Sequence, residues 1–353
     1  MKALKAVVGI DVSKDHFMVC YKSRDSKVIK GTRSFNNNES GFLELLDWCS
    51  KRSDIKPDFV MEATGVYHEK LTDYLYKNGC QVSVVLANKI KHYAKSQNIK
   101  TKTDKSDASV IADYGLERNP AAWKPMTPKF FLLRQMCREM LSFKQDLTRA
   151  KNQRHALEYA YGISEQVLKV KDEQILFLNK SIRIMEEEIC RVSQEDKAFD
   201  ARVKLLTSIP GLRAITIITI LCETDGFASF NNLRQVVSFA GLDISEKESG
   251  QMKGRSKISK TGNSHLRQCL YMPALSACSC NKPIKVLYER IVERNPTIKR
   301  KGIIAGMRKL LILVFVLWKK GEAYDPDFQW GKTKTSGNDE TKSSYCSSSK
   351  SCL

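Results

Sequence analysis

The chain has 353 residues, 42% of them hydrophobic and 28% charged, a length for about two to three domains and a composition that excludes general disorder, a collagen-like fibre and a disulfide-stapled miniprotein. Lys+Arg 59 against Asp+Glu 39 leaves a net charge of +20, which points to a polyanionic partner, either nucleic acid or a membrane surface.

Ala6 to Val12 reads as a buried strand, followed by strand runs at His16 to Tyr21 and Val28 to Phe35. Further strands are expected at Asp58 to Met61 and Val82 to Leu86, separated by helices over Ser40 to Lys51 and Tyr67 to Lys77. Three strands first, then strands alternating with helices, describe a mixed sheet with helices packed on it. From Phe131 to about Ser193 the pattern turns to long helices. Met136, Met140, Phe143, Leu147, Ala150 and Leu157 fall on heptad spacing, interrupted by Arg154. Ile175, Leu178, Ile182, Met185, Ile189 and Val192 repeat it without a break. A turn near Gly162 lets the two helices fold back as an antiparallel coiled coil or pair with another subunit; the alternative is that both seams face a globular core. A helical, basic region follows from Ala201 to about Trp318, and the serine-rich stretch Gly331 to Leu353 reads as a disordered tail. The boundaries expected are 1–125, 126–200, 201–325 and a tail at 326–353.

The eleven cysteines include no CxxC pair, Cys278-Ser-Cys280 being the nearest approach, so reduced thiols are expected. The apolar run Ala6 to Ile10 meets Asp11 too soon for a secretory signal. Leu310 to Trp318 is too short to span a bilayer and is bracketed by basic pairs. It reads as a buried helix, with an interfacial helix as the alternative, and nucleic acid becomes the favoured polyanion.

Two acids end strands: Asp11 after Val7-Val8-Gly9-Ile10, and Glu62 after Phe59-Val60-Met61. A carboxylate there needs a charge partner or a metal. Asp104 and Asp107 open a helix through Val110, Ile111 and Tyr114, three apart and therefore on one face. In one reading Asp104 caps that helix and Asp107 complements its dipole; in the other the four acids supply hard oxygen ligands for two Mg²⁺ ions in phosphoryl transfer. In the second half, Ser208-Ile209-Pro210-Gly211-Leu212 before the helix Ala214 to Glu223 suggests a helix-hairpin-helix, or an ordinary Pro-Gly turn. Between Gln251 and Gln268 stand six Lys, Arg or His residues and no acid. Such a loop can wrap a phosphate backbone or stay solvated.

The segments Gly9-Ile10-Asp11-Val12-Ser13-Lys14, Met61-Glu62-Ala63-Thr64-Gly65 and Lys102-Thr103-Asp104-Lys105-Ser106-Asp107-Ala108 resemble the DEDD catalytic domain of insertion-sequence transposases, a family that includes the Piv-type DNA invertases. The resemblance extends over roughly residues 5 to 290. It implies an α/β plus α architecture: an RNase H-like mixed-sheet domain, a coiled-coil connector and a mainly helical C-terminal transposase domain with a helix-hairpin-helix-like element. It implies Asp11, Glu62, Asp104 and Asp107 as ligands of Mg²⁺ or Mn²⁺. Ser249, in Glu248-Ser249-Gly250, matches the family's serine nucleophile, with Ser245 as competitor; Ile244 departs from the proline common there. The nucleic-acid contacts expected are Pro210, Gly211, Lys253, Arg255, Lys257, Lys260, Asn263 and Arg267. The activity implied is DNA cleavage and rejoining through a covalent serine–DNA intermediate. The partners implied are donor and target DNA, a structured non-coding guide RNA and other copies of the chain, as dimer or tetramer, in the bacterial cytoplasm and nucleoid with no membrane. The rival readings are a junction endonuclease that uses water, and a non-catalytic nucleic-acid-binding protein derived from a transposon.

Overall fold

The structure is a computed structural model that describes residues 6–23, 29–52, 55–99, 103–245, 248–249, 252–253 and 257–326; the expected tail lies almost wholly outside them. The chain divides into two compact units, Met1–Pro125 and Met126–Leu353.

The first unit is a five-stranded mixed sheet. β1 (Ala6–Val12), β2 (His16–Ser23), β3 (Ile29–Asn36), β4 (Asp58–Glu62) and β5 (Val82–Val85) lie in the order β3-β2-β1-β4-β5. β1, β2 and β3 pair antiparallel, whereas β1-β4 and β4-β5 pair parallel. Short turns allow the first and the later crossovers require helices. This strand order, an antiparallel meander extended by two parallel strands, is that of an RNase H-like domain. β1 is apolar on both faces because helices cover both, as expected of a central strand. Ile10, Phe17, Phe59 and Met61 pack on one side with Leu45 and Trp48 of α1 (Glu39–Ser50) and Leu71 and Leu75 of α2 (Glu69–Lys77). Val7, Val60 and Val85 pack on the other with Ile90 and Tyr93 of α3 (Ala87–Ser96) and Val110 and Ile111 of α4 (Asp104–Arg118). The strands and first two helices stand within a few residues of their sequence expectation. α3 was not anticipated, since it shows the core only Ile90 and Tyr93 among exposed Lys89, Lys91, His92 and Lys95.

Gly9 sets how α4 lies. A Cβ there would stand 2.3 Å from the Ala108 carbonyl oxygen and 2.3 Å from the Ala112 nitrogen, so helix backbone rests directly on the strand. Further along, a Cβ on Gly115 would meet Val7 and Val60 at 2.7 and 2.8 Å. The order Gly9 to Ala108/Ala112, then Val7 to Gly115, means that α4 runs antiparallel to β1.

The second unit is helical. α5 (Pro128–Glu158) and α6 (Glu165–Gln194) form an antiparallel hairpin turning at Gly162, φ +70. Arg154 pairs with Asp172 across it, and Lys144 Nζ lies 2.6 Å from Glu186 Oε1. Both sequence seams turn inward: Met140, Ala150, Leu178, Ile182, Ile189 and Val192 are buried. The lower halves continue into one core with α7 (Lys197–Thr207), α8 (Ala214–Glu223), α9 (Leu233–Phe239), α10 (Ser264–Cys280) and α12 (Arg300–Lys320), so hairpin and C-terminal helices share a single unit; α11 (Lys282–Arg294) packs on α10 and α12. Leu310, Leu311, Val314, Phe315 and Trp318 are buried there, which makes α12 the buried helix expected. Among the described residues no helix is long and apolar enough to cross a membrane.

Gly9→Ala is expected to cost about 3 kcal/mol of stability by forcing α4 off the strand, measured as a lowered urea midpoint. Gly79→Ala, at φ +70 with no atom within 4 Å of an added Cβ, should cost about 1 kcal/mol through backbone strain alone. Equal midpoints for the two variants would sink the placement of α4 on β1.

Candidate functional site

The four acids sit at one end of the first unit. In the parallel β1–β4 ladder Ile10 stands opposite Met61, so Asp11 and Glu62 are the next residues of two neighbouring strands. Side chains alternate along a strand. Asp11 therefore shares the face of Gly9 and Val7, Glu62 that of Val60, and both lie on the face that α4 covers. Both are half-buried.

Helix and strand rises place α4 against them. Asp11 lies two residues beyond Gly9, about 7 Å at a strand's rise. Asp104 to Asp107 precede the Ala108–Ala112 contact by about four to five residues, again about 7 Å at a helix's rise. The first turn of α4 thus stands at the level of Asp11. Consistently, Asp104 Oδ2 lies 3.9 Å from His16 Nε2 at the start of β2, both groups largely exposed.

The cap of α4 is Thr103 and not Asp104. Thr103 Oγ1 accepts from the Ser106 amide at 3.2 Å, and Ser106 Oγ accepts from the Thr103 amide at 2.8 Å, a reciprocal capping box. This corrects the reading of Asp104 as cap: the box satisfies the helix end by itself and leaves the Asp104 and Asp107 carboxylates in the first turn, favoured there by the helix dipole.

Among the described residues no three His, Cys, Asp or Glu side chains converge closely enough to hold a metal ion. What fits a hard divalent cation is the donor chemistry, four carboxylates with neither thiolate nor amine among them, and their common place at the carboxyl end of the sheet. Asp11, Glu62, Asp104 and Asp107 are the residues that would hold it.

In the second unit, Ser249 ends β7 (Glu248–Ser249), opposite Met252 of β8 (Met252–Lys253), with Glu248 opposite Lys253. Ser245 ends β6 (Ile244–Ser245), opposite Lys257 of β9 (Lys257–Ile258), and is exposed. Lys257 and Lys260 are exposed, and Arg255 lies outside the described residues. Asn263 and Arg267 face inward. Asn263 Oδ1 accepts from the Leu266 amide at the start of α10, while its Nδ2 donates to Glu223 Oε2 at 2.7 Å. One Arg267 amino group donates to the Ala240, Gly262 and Asn263 carbonyls at 2.9, 3.1 and 3.2 Å. Both side chains thereby fasten the root of the basic loop.

Sequence reasoning missed the centre of that root. Glu223, its side chain 1% exposed, takes Arg138 Nε and Nη2 at 2.7 and 2.8 Å as well as Asn263. Burial pushes its carboxyl up, but the hydrogen bonds from Arg138 and Asn263 outweigh that and hold it below the usual carboxylate range. A signal was present, since Glu223 is the one charged residue in the apolar run Ala214 to Glu223. Pro210 and Gly211 form the turn between α7 and α8. Gly211 has φ +96, and an added Cβ would lie 2.8 Å from Ala277 Cβ; the Pro210 carbonyl accepts from Asn281 at 3.4 Å. The turn is packed against α10 through its glycine.

Two family models match in chain order. One, of the DEDD domain of IS110-type elements and described as a transposase, matches residues 8–158. The other, described as the transposase IS116/IS110/IS902 family, matches residues 203–289. The pilin gene-inverting protein of Moraxella bovis is 29% identical over 324 residues, covering 91% of this chain and 98% of its own. The transposase for insertion sequence element IS1111A of Coxiella burnetii is 22% identical over 302 residues, 76% of this chain and 77% of its own. Among solved structures, T. thermophilus RuvC in complex with a Holliday junction substrate matches 33% of this chain and 98% of its own at 12% identity and a TM-score of 0.25. At that score the fold rests on the strand order itself.

Arg138→Ala is expected to cost about 3 kcal/mol, because it strips a buried carboxylate of its countercharge. The depressed Glu223 pKa also fixes a sign: its contribution is present above the ordinary glutamate pKa and is lost as pH falls through the lower folded value. Urea titrations of wild type and Arg138→Ala at neutral and acid pH check both, and a gap between them that does not shrink in acid would contradict the assignment.

Proposed function

The chain belongs to the transposase family of the IS110 and IS116 insertion elements, and from that premise we propose that it is a DNA recombinase that cuts and rejoins strands through a covalent link to Ser249. The observation that carries the reading is the β1–β4 register with α4 laid antiparallel on it, which gathers Asp11, Glu62, Asp104 and Asp107 at one end of the sheet. Divalent cations held there would supply Lewis-acid stabilisation of the charge that builds on a phosphoryl oxygen.

The remaining chemistry belongs to the chain. Ser249 pairs with Met252 across the β7–β8 ladder and precedes the acid-free basic segment Gln251 to Gln268, the position that matches the family's serine nucleophile. The Ser249 hydroxyl gives up its proton as its oxygen bonds to phosphorus, the bond from phosphorus to one sugar oxygen breaks, and that oxygen takes up a proton and leaves as the hydroxyl of the cut strand, so no proton is gained or lost overall. One phosphodiester replaces another, so a second strand's hydroxyl can reverse the step without ATP. Lys253, Lys257 and Lys260 neutralise the backbone phosphates on either side, and Arg255 adds a bidentate donor. Pro210 and Gly211 bring the start of α8 to the DNA as a helix-hairpin-helix would. The α5–α6 hairpin acts as a coiled-coil connector through which copies of the chain assemble, combining the acids of one with the serine of another. The net +20 leaves charge for a structured guide RNA beside donor and target duplexes.

The test is a suicide DNA substrate resolved on denaturing gels with and without proteinase. Wild type should give a protein-linked strand, Ser249→Ala none, and Ser245→Ala the wild-type amount; Asp11→Ala and Asp104→Asn should lower cleavage by at least about a hundredfold. Free DNA ends with full activity in Ser249→Ala would establish the water-using endonuclease instead, and unchanged biological activity in Asp11→Ala would establish a non-catalytic binder.

A further inference from the structure

The parallel ladder that sets Asp11 beside Glu62 has its last paired residues at Ile10 and Met61. Beyond it the two chains leave as irregular loops, Ser13–Asp15 towards β2 and Ala63–His68 towards α2. Asp11 stays paired with Met18 of β2 and Glu62 with Val85 of β5, so each is a strand residue, but past Ile10 and Met61 what joins their two strands is the loops that follow, and the spacing of the pair is held only as firmly as those loops are.

We propose that Asn37 is the positioning residue of the acidic site, its side-chain amide tying the loop after Asp11 to the loop after Glu62 so that the two carboxylates stay at the spacing a divalent cation needs. The proposal rests on the reading of those acids as metal ligands. Asn37 follows β3, and its Nδ2 donates to the Ser13 carbonyl at 2.9 Å, the Lys14 carbonyl at 3.4 Å and the Tyr67 carbonyl at 3.1 Å. Its own amide donates to the Asp15 carbonyl at 2.9 Å, which fixes the asparagine against the first loop through main chain as well. All three side-chain partners are acceptors, so only the NH₂ end can face them; the Oδ1 atom, turned away, is buried without a partner. An amide kept in place at the expense of an unsatisfied oxygen is spending stability on the contacts of its other end. Neighbouring Asn38 has the ordinary duty, capping α1 through the Gly41 amide at 2.9 Å.

The probe is Mn²⁺ alone, titrated into DNA-free full-length protein and followed by electron paramagnetic resonance, beside DNA affinity in EDTA and hydrogen exchange of residues 13–15 and 63–68. Asn37→Ala should weaken Mn²⁺ binding by about tenfold or more and speed exchange in both loops, with DNA affinity in EDTA within about twofold of wild type, a change small on the tenfold-per-1.4 kcal/mol scale of binding. Asn37→Asp, nearly the same shape but with only acceptors against three carbonyls, should be at least as weak, and Asn37→Ser carries the comparison if Asn37→Ala does not fold. Wild-type Mn²⁺ affinity in the alanine and serine variants would overturn the clamp, as would DNA affinity in EDTA falling in step with Mn²⁺ affinity. Asp11→Ala separates the two levels. If it abolishes Mn²⁺ binding while Asn37→Ala leaves it intact, the clamp alone fails; if it binds Mn²⁺ as wild type does, the metal-site reading fails and takes the clamp with it.

Discussion

Everything about the acidic site depends on the contact between a glycine and a helix backbone. Because Gly9 has no Cβ, α4 lies on β1 with Ala108 and Ala112 at the strand itself. Small residues on the helix, Ala108, Ala112 and Gly115, make the same allowance from the other side. Close approach matters because a carboxylate reaches only a few ångströms from its backbone. A helix held off by ordinary core side chains would sit at the usual spacing of roughly 10 Å between packed layers, and Asp104 and Asp107 would then be separated from Asp11 and Glu62 by the thickness of a hydrophobic layer. The glycine brings an acidic helix end to two acidic strand ends, and the capping box of Thr103 and Ser106 frees the helix acids from duty within the helix. The result is four acids at one end of the sheet, two at strand ends and two in the first turn of a helix whose dipole favours them.

The C-terminal unit solves a different problem with different means. Its basic segment carries six positive or titratable side chains and no acid between Gln251 and Gln268, so the loop cannot neutralise itself and has no apolar residues to bury along most of its length. It is held from below by a buried carboxylate. Glu223 reaches Asn263 at the loop's end and Arg138 on α5, and Arg267 gathers three carbonyls of the same turn. Gly262 lets the chain pass against α9, where a Cβ would stand 2.4 Å from the Phe239 carbonyl oxygen. The lysines forward of this root, Lys257 and Lys260, remain exposed. A rigid base with a charged periphery is what a surface needs if it is to meet a stiff polyanion without losing its own order.

The sequence made much of the first unit legible because its signals are strong ones: unbroken apolar runs at β1 and β4, an acid terminating each, and a mixed order of strands and helices. It made α3 nearly invisible, since two buried residues among lysines do not form a periodic pattern. It also says little about direction. Asp104 looked like a cap because aspartate often is one, yet the residue before it has the hydroxyl geometry for the task. The bonds that Arg267 and Asn263 make within the protein are not legible either, because charge and polarity say nothing about which way a side chain turns. Asn37 lies in the run Asn36-Asn37-Asn38, three identical side chains of which one caps a helix and one braces two loops; only the fold separates them.

These two kinds of error have one cause. Sequence pattern reports periodicity and residue type, which are properties of an element, whereas a site is a property of how elements meet. Where an element's own pattern carries the signal, as the apolar runs that lead into Asp11 and Glu62 do, the residues can be singled out in advance. Where the meeting is made by single polar side chains, Asn37 between two loops or Glu223 between two helices, the sequence offers only residues that would suit many other roles. The polar side chains that tie loops and helices together are therefore the ones that pattern alone does not rank, and they are found by asking of every buried donor and acceptor what its partner is.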